Sequence, residues 1–517
     1  MAQVRDVILI AAAALLALAA PSDQQSVFTG HPPEPPPAAT TAAAPAAVCR
    51  VCHCTATALD CAAVDLARLS ALGWTESWGL REALLDGTED GSGSPPPPPA
   101  LLAALPPMPG LESVSLRYRG LGGIASKAFA GLPDLKMLSL AHNRLTADAV
   151  RADALRGAWN ADSYEPLGVE ELDLSHNQLH SLPLRALEHL PRLRTLRLDH
   201  NPLRVLDRST QAALAKATAL KELSLSGCGL TGLPGDLSST LPRGLVHLDL
   251  SANALTVVPG GLPASLRRLV LDANPIRTLP AGDTLIAPFA HLVNLEELSV
   301  SYMPILEDVS AGAFRGLPQL RVLSCSHNPV LRRVDAAALS HLGPSWKLRE
   351  VSLRNNSLSW LPPRLLAWSG LTFLDLADNP WDCSCNFSLW ASAVLRPVNL
   401  NERDQVRCSS PEALVGSPVL NLTAAACFPE AAYARRPSLF ANALLLLLTV
   451  TLVASLVLLA RRVLPGHAFA GPLAPLVGRA ARQLPRAGSV DSLKHPLYMV
   501  APSEDEPPAP PERRGDL

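Results

Sequence analysis

LRTLRLDHNPL (193–203), VEELDLSHNQL (169–179) and LVHLDLSANAL (245–255) are one pattern written three times. Its form is Leu-x-x-Leu-x-Leu-x-x-Asn-x-Leu. Eleven copies follow one another, starting at 111, 135, 169, 193, 220, 245, 266, 295, 320, 348 and 371, with a mean period of 26 residues. Leucines at the fourth and sixth positions alternate with polar residues, so each copy predicts a short strand with one buried face. The remaining residues must carry the chain back to the next strand. One copy cannot bury its leucines alone, so neighbours have to stack and share an aliphatic core. Composition agrees, since 48% of the residues are apolar but only 4% are aromatic. The asparagine at the ninth position predicts an inward-turned amide that satisfies backbone groups in a tight turn.

Three copies depart from that asparagine, with Arg119, Cys228 and Met303 in its place. Met303 has no hydrogen-bond donor, so an irregular turn is expected there. Several copies begin from a phenylalanine-bearing connector, at Phe129, Phe289 and Phe314. The interval from 135 to 169 is stretched to 34 residues, and 87–99 is a Gly/Ser/Pro loop. Pattern and period together are those of a leucine-rich repeat. The fold class expected is an α/β repeat: a leucine-rich repeat solenoid, or horseshoe.

Eight of the ten cysteines bracket the repeats: Cys49, Cys52, Cys54 and Cys61 before, and Cys383, Cys385, Cys408 and Cys427 after. The open ends of a solenoid expose core leucines and need covers, which disulfides can hold together in an oxidising compartment. Zinc binding by Cys49-x-x-Cys52 with His53 and Cys54, and a redox role, are the competing readings. A secretory leader argues against zinc, and no βαβ pattern supports a redox motif. By spacing alone each cap allows three pairings. The remaining Cys228 and Cys325 read as buried free thiols.

CRVCHCTATALDC (49–61) and NPWDCSCNFSLW (379–390) with VRCSSPEALVGSPVL (406–420) resemble the two cysteine-rich caps of extracellular leucine-rich repeat proteins. The resemblance runs from 49 to 427. It implies the disulfides Cys49–Cys54, Cys52–Cys61, Cys383–Cys408 and Cys385–Cys427. The whole plan is similar to that of single-pass leucine-rich membrane proteins, such as trophoblast glycoprotein and neuronal and insect adhesion proteins. Fold in this family does not fix function.

Beyond the repeats, Arg5 and the apolar run from Val7 to Ala20 read as a signal peptide over 1–20. A Pro/Ala-rich linker follows over 21–48, then the cap at 49–61 and an irregular repeat with the Gly/Ser/Pro loop over 62–110. The eleven repeats occupy 111–381, the second cap 382–427 and a juxtamembrane stalk 428–438. The run 439–460 has Asn442 as its one strongly polar residue and predicts a transmembrane helix. Arg461 and Arg462 open a cytoplasmic tail, 461–517, disordered by composition. The expected placement is therefore the plasma membrane, single-pass type I, with the N-terminus outside.

The third, fifth, seventh and eighth positions of each copy are expected to line the concave face, where solenoids bind partners. The candidate binding residues are Tyr118, His142, Asp173, His176, Arg197, His200 and Asp249. His142, His176 and His200 fall at one position of consecutive copies. A pH sensor or metal row is one reading of them; ordinary filling of the repeat is the one preferred. Sequons at Asn355, Asn386 and Asn421 are candidate N-glycosylation sites. A glycan on Asn355 would cover the C-terminal third of the concave face. In the tail, Pro508, Pro511 and Arg513 form a candidate proline-helix ligand for a cytosolic SH3 protein. The formal charge of −2 offers no basic surface for nucleic acid. No catalytic constellation, cofactor motif or metal set is present in the sequence. The expected function is non-enzymatic recognition: an adhesion molecule or co-receptor for a protein ligand, or an auxiliary subunit of a channel or receptor in the same membrane.

Overall fold

The computed structural model describes residues 47–422, apart from 63, 66–67, 69–78, 89–97, 236, 281–288, 290, 340–346 and 397, and also residues 439–463. The expected signal peptide, the stalk, Cys427 and the tail with Pro508, Pro511 and Arg513 lie outside the described residues. So does most of the Gly/Ser/Pro loop. The chain divides into two units, Met1–Pro429 and Glu430–Leu517.

In the first unit, each of the eleven copies contributes one three-residue strand to a single fourteen-stranded sheet. Neighbouring strands are parallel and in register, so fourth-position leucines pair with each other, as Leu172 with Leu196 and Leu196 with Leu223. This is the stacking that the periodicity demands. The sheet also extends one copy further than the sequence pattern suggested. Glu82–Leu84 lies parallel between Ala58–Asp60 and Ser113–Ser115. The reading of 62–110 as an irregular repeat concealed this strand, because Ala83 and not leucine fills its fourth position. His53–Cys54 and Ala58–Asp60 pair antiparallel and close the sheet at that end.

Leucines at the first, fourth, sixth and eleventh positions form one continuous core, and most are below 2% exposed. Phe129, Phe289 and Phe314 are buried within it, so the connectors read from the sequence carry its few large side chains. On the return side, Thr278–Leu279, Asp308–Val309 and Arg333–Val334 make a small parallel sheet. Asp207 caps the helix Arg208–Lys216 by accepting from the Thr210 amide. The stretched interval is ordered. Trp159 and Tyr164 bridge antiparallel, and the Arg156 guanidinium lies 3.6 Å from the Tyr164 ring centroid.

The ninth-position amide ties copies together. Asn201 donates to its own Leu198 carbonyl and to Leu174 of the copy before, and accepts from the Leu179 amide. Where the next copy lacks asparagine, the turn changes. The Leu203 amide, ahead of Cys228, bonds back to the Asn201 carbonyl at 2.8 Å. The Ile276 amide, ahead of Met303, does the same to Asn274 at 2.9 Å. The expected irregularity at Met303 is therefore real, and it recurs at Cys228. Arg119 solves the problem differently. Its guanidinium donates to the carbonyls of Leu85, Val64 and Cys61, pinning the first copy to the N-terminal cap.

Three of the implied disulfides are formed: Cys49–Cys54, Cys52–Cys61 and Cys383–Cys408. The fourth involves Cys427 and lies outside the described residues. Cys228 and Cys325 are buried free thiols. At the far end of the solenoid Trp381 stacks on Phe387 and Trp368 meets Trp390.

The second unit is described by one helix, Leu439–Val463, of 25 residues. Its described leucines and valines are half or more exposed. Among the described residues no helix is long and apolar enough to cross a membrane. The side chains of Leu439–Val463 are described without a gap over 443–459.

Candidate functional site

Because the strands are parallel and in register, third-, fifth- and seventh-position side chains form three rows across the open face of the sheet. Strand alternation sends the fourth and sixth positions into the core. The rows are polar and joined by short bonds. Asp173 accepts from the Ser175 hydroxyl at 2.6 Å, Asp199 from the Ser224 hydroxyl and the Ser226 amide, and Asp272 from the Ser299 hydroxyl at 2.7 Å. Burial holds the Asp199 carboxyl above its ordinary range, and the neighbouring charges of Asp249 and Asp173 add to the shift. Asp272 is raised in the same way, by burial first and then by Asp249.

Over the first copies the face sinks into a hollow of about 280 Å³, lined among others by Ser113, Ser115, Ser139, Met137, Asp173 and Arg197. Its floor carries small side chains: Ser115 and Ser139 at the fifth position, and Ser113 at a third position that the other copies fill with a larger residue. Arg117 pairs with Asp86 at 3.1 Å on its rim.

The eighth position is not part of a row of strand residues. In all eleven copies it has left-handed backbone, from Tyr118 at φ 56° to Asp378 at φ 58°. The chain turns there out of the strand. The turn is held by amides donating to the next copy, as His142 to Ser175 at 3.0 Å and His176 to Asp199 at 2.7 Å. Such a conformation costs an ordinary residue ~1–2 kcal/mol. Histidine and asparagine visit it more readily than most residues.

This places Tyr118, His142, His176 and His200 in one ring stack along the edge of the sheet. Successive centroids are 4.4, 4.0 and 4.3 Å apart, and the rings are within 20° of parallel. The stack ends at Gly227, where a Cβ would lie 2.5 Å from His200 Nδ1. A second, shorter stack joins Tyr302 to His327 at 4.5 Å. Burial depresses the basicity of His176, and the two flanking imidazoles depress it further. Sequence reasoning treated these histidines as filling. The signal was four aromatic residues at one position of consecutive copies, and parallel register turns that into stacking. Among the described residues, no group of three His, Cys, Asp or Glu could hold a metal ion.

The seven candidate binding residues thus fall into two sets. Asp173, Arg197 and Asp249 stand on the open face, and Tyr118, His142, His176 and His200 on its edge. Asn355 is exposed at the eighth position of copy ten, and Asn421 is exposed in the second cap. The side chain of Asn386 lies outside the described residues.

The repeats are leucine-rich repeats by comparison as well as by pattern. The leucine-rich repeat family matches over residues 166–203 and again over 219–240. Podocan-like protein 1 of Homo sapiens is 32% identical over 286 residues, which cover 54% of this chain and 50% of that protein. Podocan of Mus musculus is 33% identical over 174 residues, 33% of this chain and 26% of its own. Toll-like receptor 9 of Homo sapiens is 30% identical over 322 residues, 59% of this chain and 28% of its own. The chain therefore spans between about a quarter and about half of the length of these relatives.

Proposed function

We propose that the protein is a cell-surface recognition molecule that binds a protein ligand on the open face of its leucine-rich repeat sheet. The observation that carries this is the face itself. Fourteen short strands present a largely polar face, which the second cap reaches only at its far end, where Asn401 and Glu402 meet Asp375 and Arg354. Its hollow and its ring stack both lie on the first four copies, so the ligand docks there. A glycan on the exposed Asn355 would leave those copies clear and cover the other end. The kinship with a protein named as a receptor, Toll-like receptor 9, supports recognition and not chemistry.

The helix Leu439–Val463 is the membrane anchor in this reading. At ~1.5 Å per residue its 25 residues reach about 37 Å, more than a ~30 Å hydrocarbon core. Exposed leucines and valines along it suit lipid. The signal peptide at 1–20 orients the chain as type I, and the tail offers Pro508, Pro511 and Arg513 to a cytosolic SH3 protein.

Proximity labelling on intact cells tests the proposal, with full-length chain against a version cut after Lys494. Neighbours on opposing cells that survive truncation support an adhesion or co-receptor role. Neighbours confined to the same membrane overturn it in favour of an auxiliary subunit. A third version carries Thr195→Asn with Arg197→Ser, which creates a sequon in the middle of the open face. Its glycan is expected to abolish ligand labelling; unchanged labelling would place the ligand elsewhere.

A further inference from the structure

Charge is not spread evenly over the solenoid. On the third, fifth and seventh positions of copies three to seven stand six carboxylates: Glu171, Asp173, Asp199, Glu222, Asp249 and Asp272. Only two guanidinium groups share those rows, Arg197 and Arg268. Arg268 is engaged by Glu297 of the next copy at 3.5 Å. The strip is thus strongly acidic in a chain whose net charge is only −2. Compensating cations sit just before the strands, at Arg194, Lys221 and Arg267, off the face. Arg194 and Arg267 are paired there with Glu170 and Glu296.

The carboxylates are also held in a particular way. Asp199 takes both its internal bonds, from Ser224 and Ser226, on Oδ1. Asp272 takes both of its own, from Ser299 and Ser301, on Oδ1 as well. Asp249 accepts from the Ser251 amide on the same atom. In all three, Oδ2 has no donor among the described residues, although a carboxylate has about four acceptor sites. Serine and backbone donors fix the orientation of each carboxylate and leave one oxygen vacant. Glu171 and Glu222 have no cationic partner among the described residues. A fixed, half-satisfied acceptor is ready for a cationic donor and pays little ordering cost when one arrives.

We propose that the open face of copies three to seven receives a lysine- or arginine-bearing segment of a protein partner, which donates to Asp173, Asp199, Asp249 and Asp272. This rests on the recognition reading above, extends the ligand's footprint from the first four copies through copy seven, and names the chemistry of the partner. A polypeptide cation fits better than a metal ion, because the acids are spread over five copies and no three converge on one point. Polyanions are repelled. The raised carboxyls of Asp199 and Asp272 agree, since a nearby cation relieves the burial and mutual repulsion that lift them.

The test uses the full-length chain in mild detergent. The probe is a fluorescein-labelled twelve-residue peptide alternating glycine with lysine or arginine, with a glycine–glutamate peptide for comparison. Binding is read by anisotropy at low and physiological salt. The expected result is saturable, salt-sensitive binding of the basic probe only. Asp173→Asn/Asp199→Asn/Asp249→Asn/Asp272→Asn should weaken it at least about tenfold. Asparagine keeps the accepting oxygen for the serines. Glu171→Gln with Glu222→Gln removes two charges without touching an internal bond, and should weaken binding about two- to threefold. Removing three half-buried, ion-paired acids off the face, by Glu112→Gln, Glu170→Gln and Glu296→Gln, should change it less than about twofold. Equal loss from the on-face and off-face sets overturns the proposal, as does binding of both probes alike. The two readings fail separately. If the glycan at position 195 abolishes ligand labelling on cells while the four asparagines leave it intact, the face binds the ligand but not through a cation.

Discussion

Replacing Asn201 by alanine removes the joint between two copies, and its cost can be worked from the bonds lost. Asn201 is 1% exposed. Its amide nitrogen donates at 2.9 Å to both Leu174 and Leu198, and its oxygen accepts from the Leu179 amide at 3.0 Å. After the change Leu174 still has Asn177, and Leu198 has only the weak Cys228 thiol. The Leu179 amide is left with nothing. It cannot turn back as the Leu203 amide does, because Gln178 next to it is tied to the Leu145 carbonyl at 2.9 Å. The three turns that do bend back, at Asn201, Asn274 and Asn379, carry Pro202, Pro275 and Pro380 there, which have no amide hydrogen to keep in place. One stranded buried donor costs ~1–3 kcal/mol and two weakened acceptors ~0.5–1 each, so about 3 kcal/mol in all. An unfolding entropy of ~2.1 cal/mol/K per residue over the solenoid gives about 0.8 kcal/mol/K, so Tm should fall by about 4 °C. Thermal unfolding followed by circular dichroism measures it, with the exposed Arg194→Ala as control. Asn201→Asp should cost more at neutral pH, because it loses the donors and buries a charge. A shift below about 1 °C for Asn201→Ala, or one no larger than that of the control, refutes the account of how copies are joined.

Two further outcomes follow from the buried titratable groups. Burial pushes the thiols of Cys228 and Cys325 up to about 12. At pH 8 only about one in ten thousand is thiolate, so iodoacetamide should leave both unmodified in the folded chain and label both after unfolding, as read by mass spectrometry. The Asp199 carboxyl is raised in the fold. Its contribution is therefore most favourable below its unfolded value, about 4, and is lost as pH rises through the raised value. Asp199→Asn should then increase Tm at pH 7, with the gain vanishing near pH 4; a constant gain across that range would count against burial as the cause.

Much of the fold was legible because a repeat states its own period. Leu172, Leu196 and Leu223 pair across parallel strands as eleven consecutive copies require, and the cap cysteines were legible from their clustering. Glu82–Leu84 was missed because its copy carries Ala83 at a leucine position and lacks the terminal Asn-x-Leu, so the pattern falls below recognition while the geometry persists. The site was less legible. Asp173, Arg197 and Asp249 were placed on the face by strand alternation alone. The positions of Tyr118, His142, His176 and His200 were anticipated, but not their left-handed turn or their stacking. Both depend on how the next copy sits, and local sequence does not encode that. The vacant oxygens of Asp199 and Asp272 were equally hidden, since they arise from serines in the following copy.

That division follows from the architecture. Inward positions are constrained by the shared core, so Leu198 or Asn201 cannot vary without strain reaching two neighbours. The eighth position has a fixed backbone but a free side chain. Ala252 and Ala273 hold the same left-handed turn, at φ 54° and 55°, as the histidines do. Whatever stabilises the turn is therefore in the backbone bonds to the next copy, and not in the ring. Rings at four consecutive copies are a choice the fold does not require, and neither is an acidic face in a chain of nearly balanced charge. Both features run over copies where the fold asks only for small polar residues. Surplus specification of that kind, spread over copies one to seven of the sheet and its edge, is where a partner's chemistry is written.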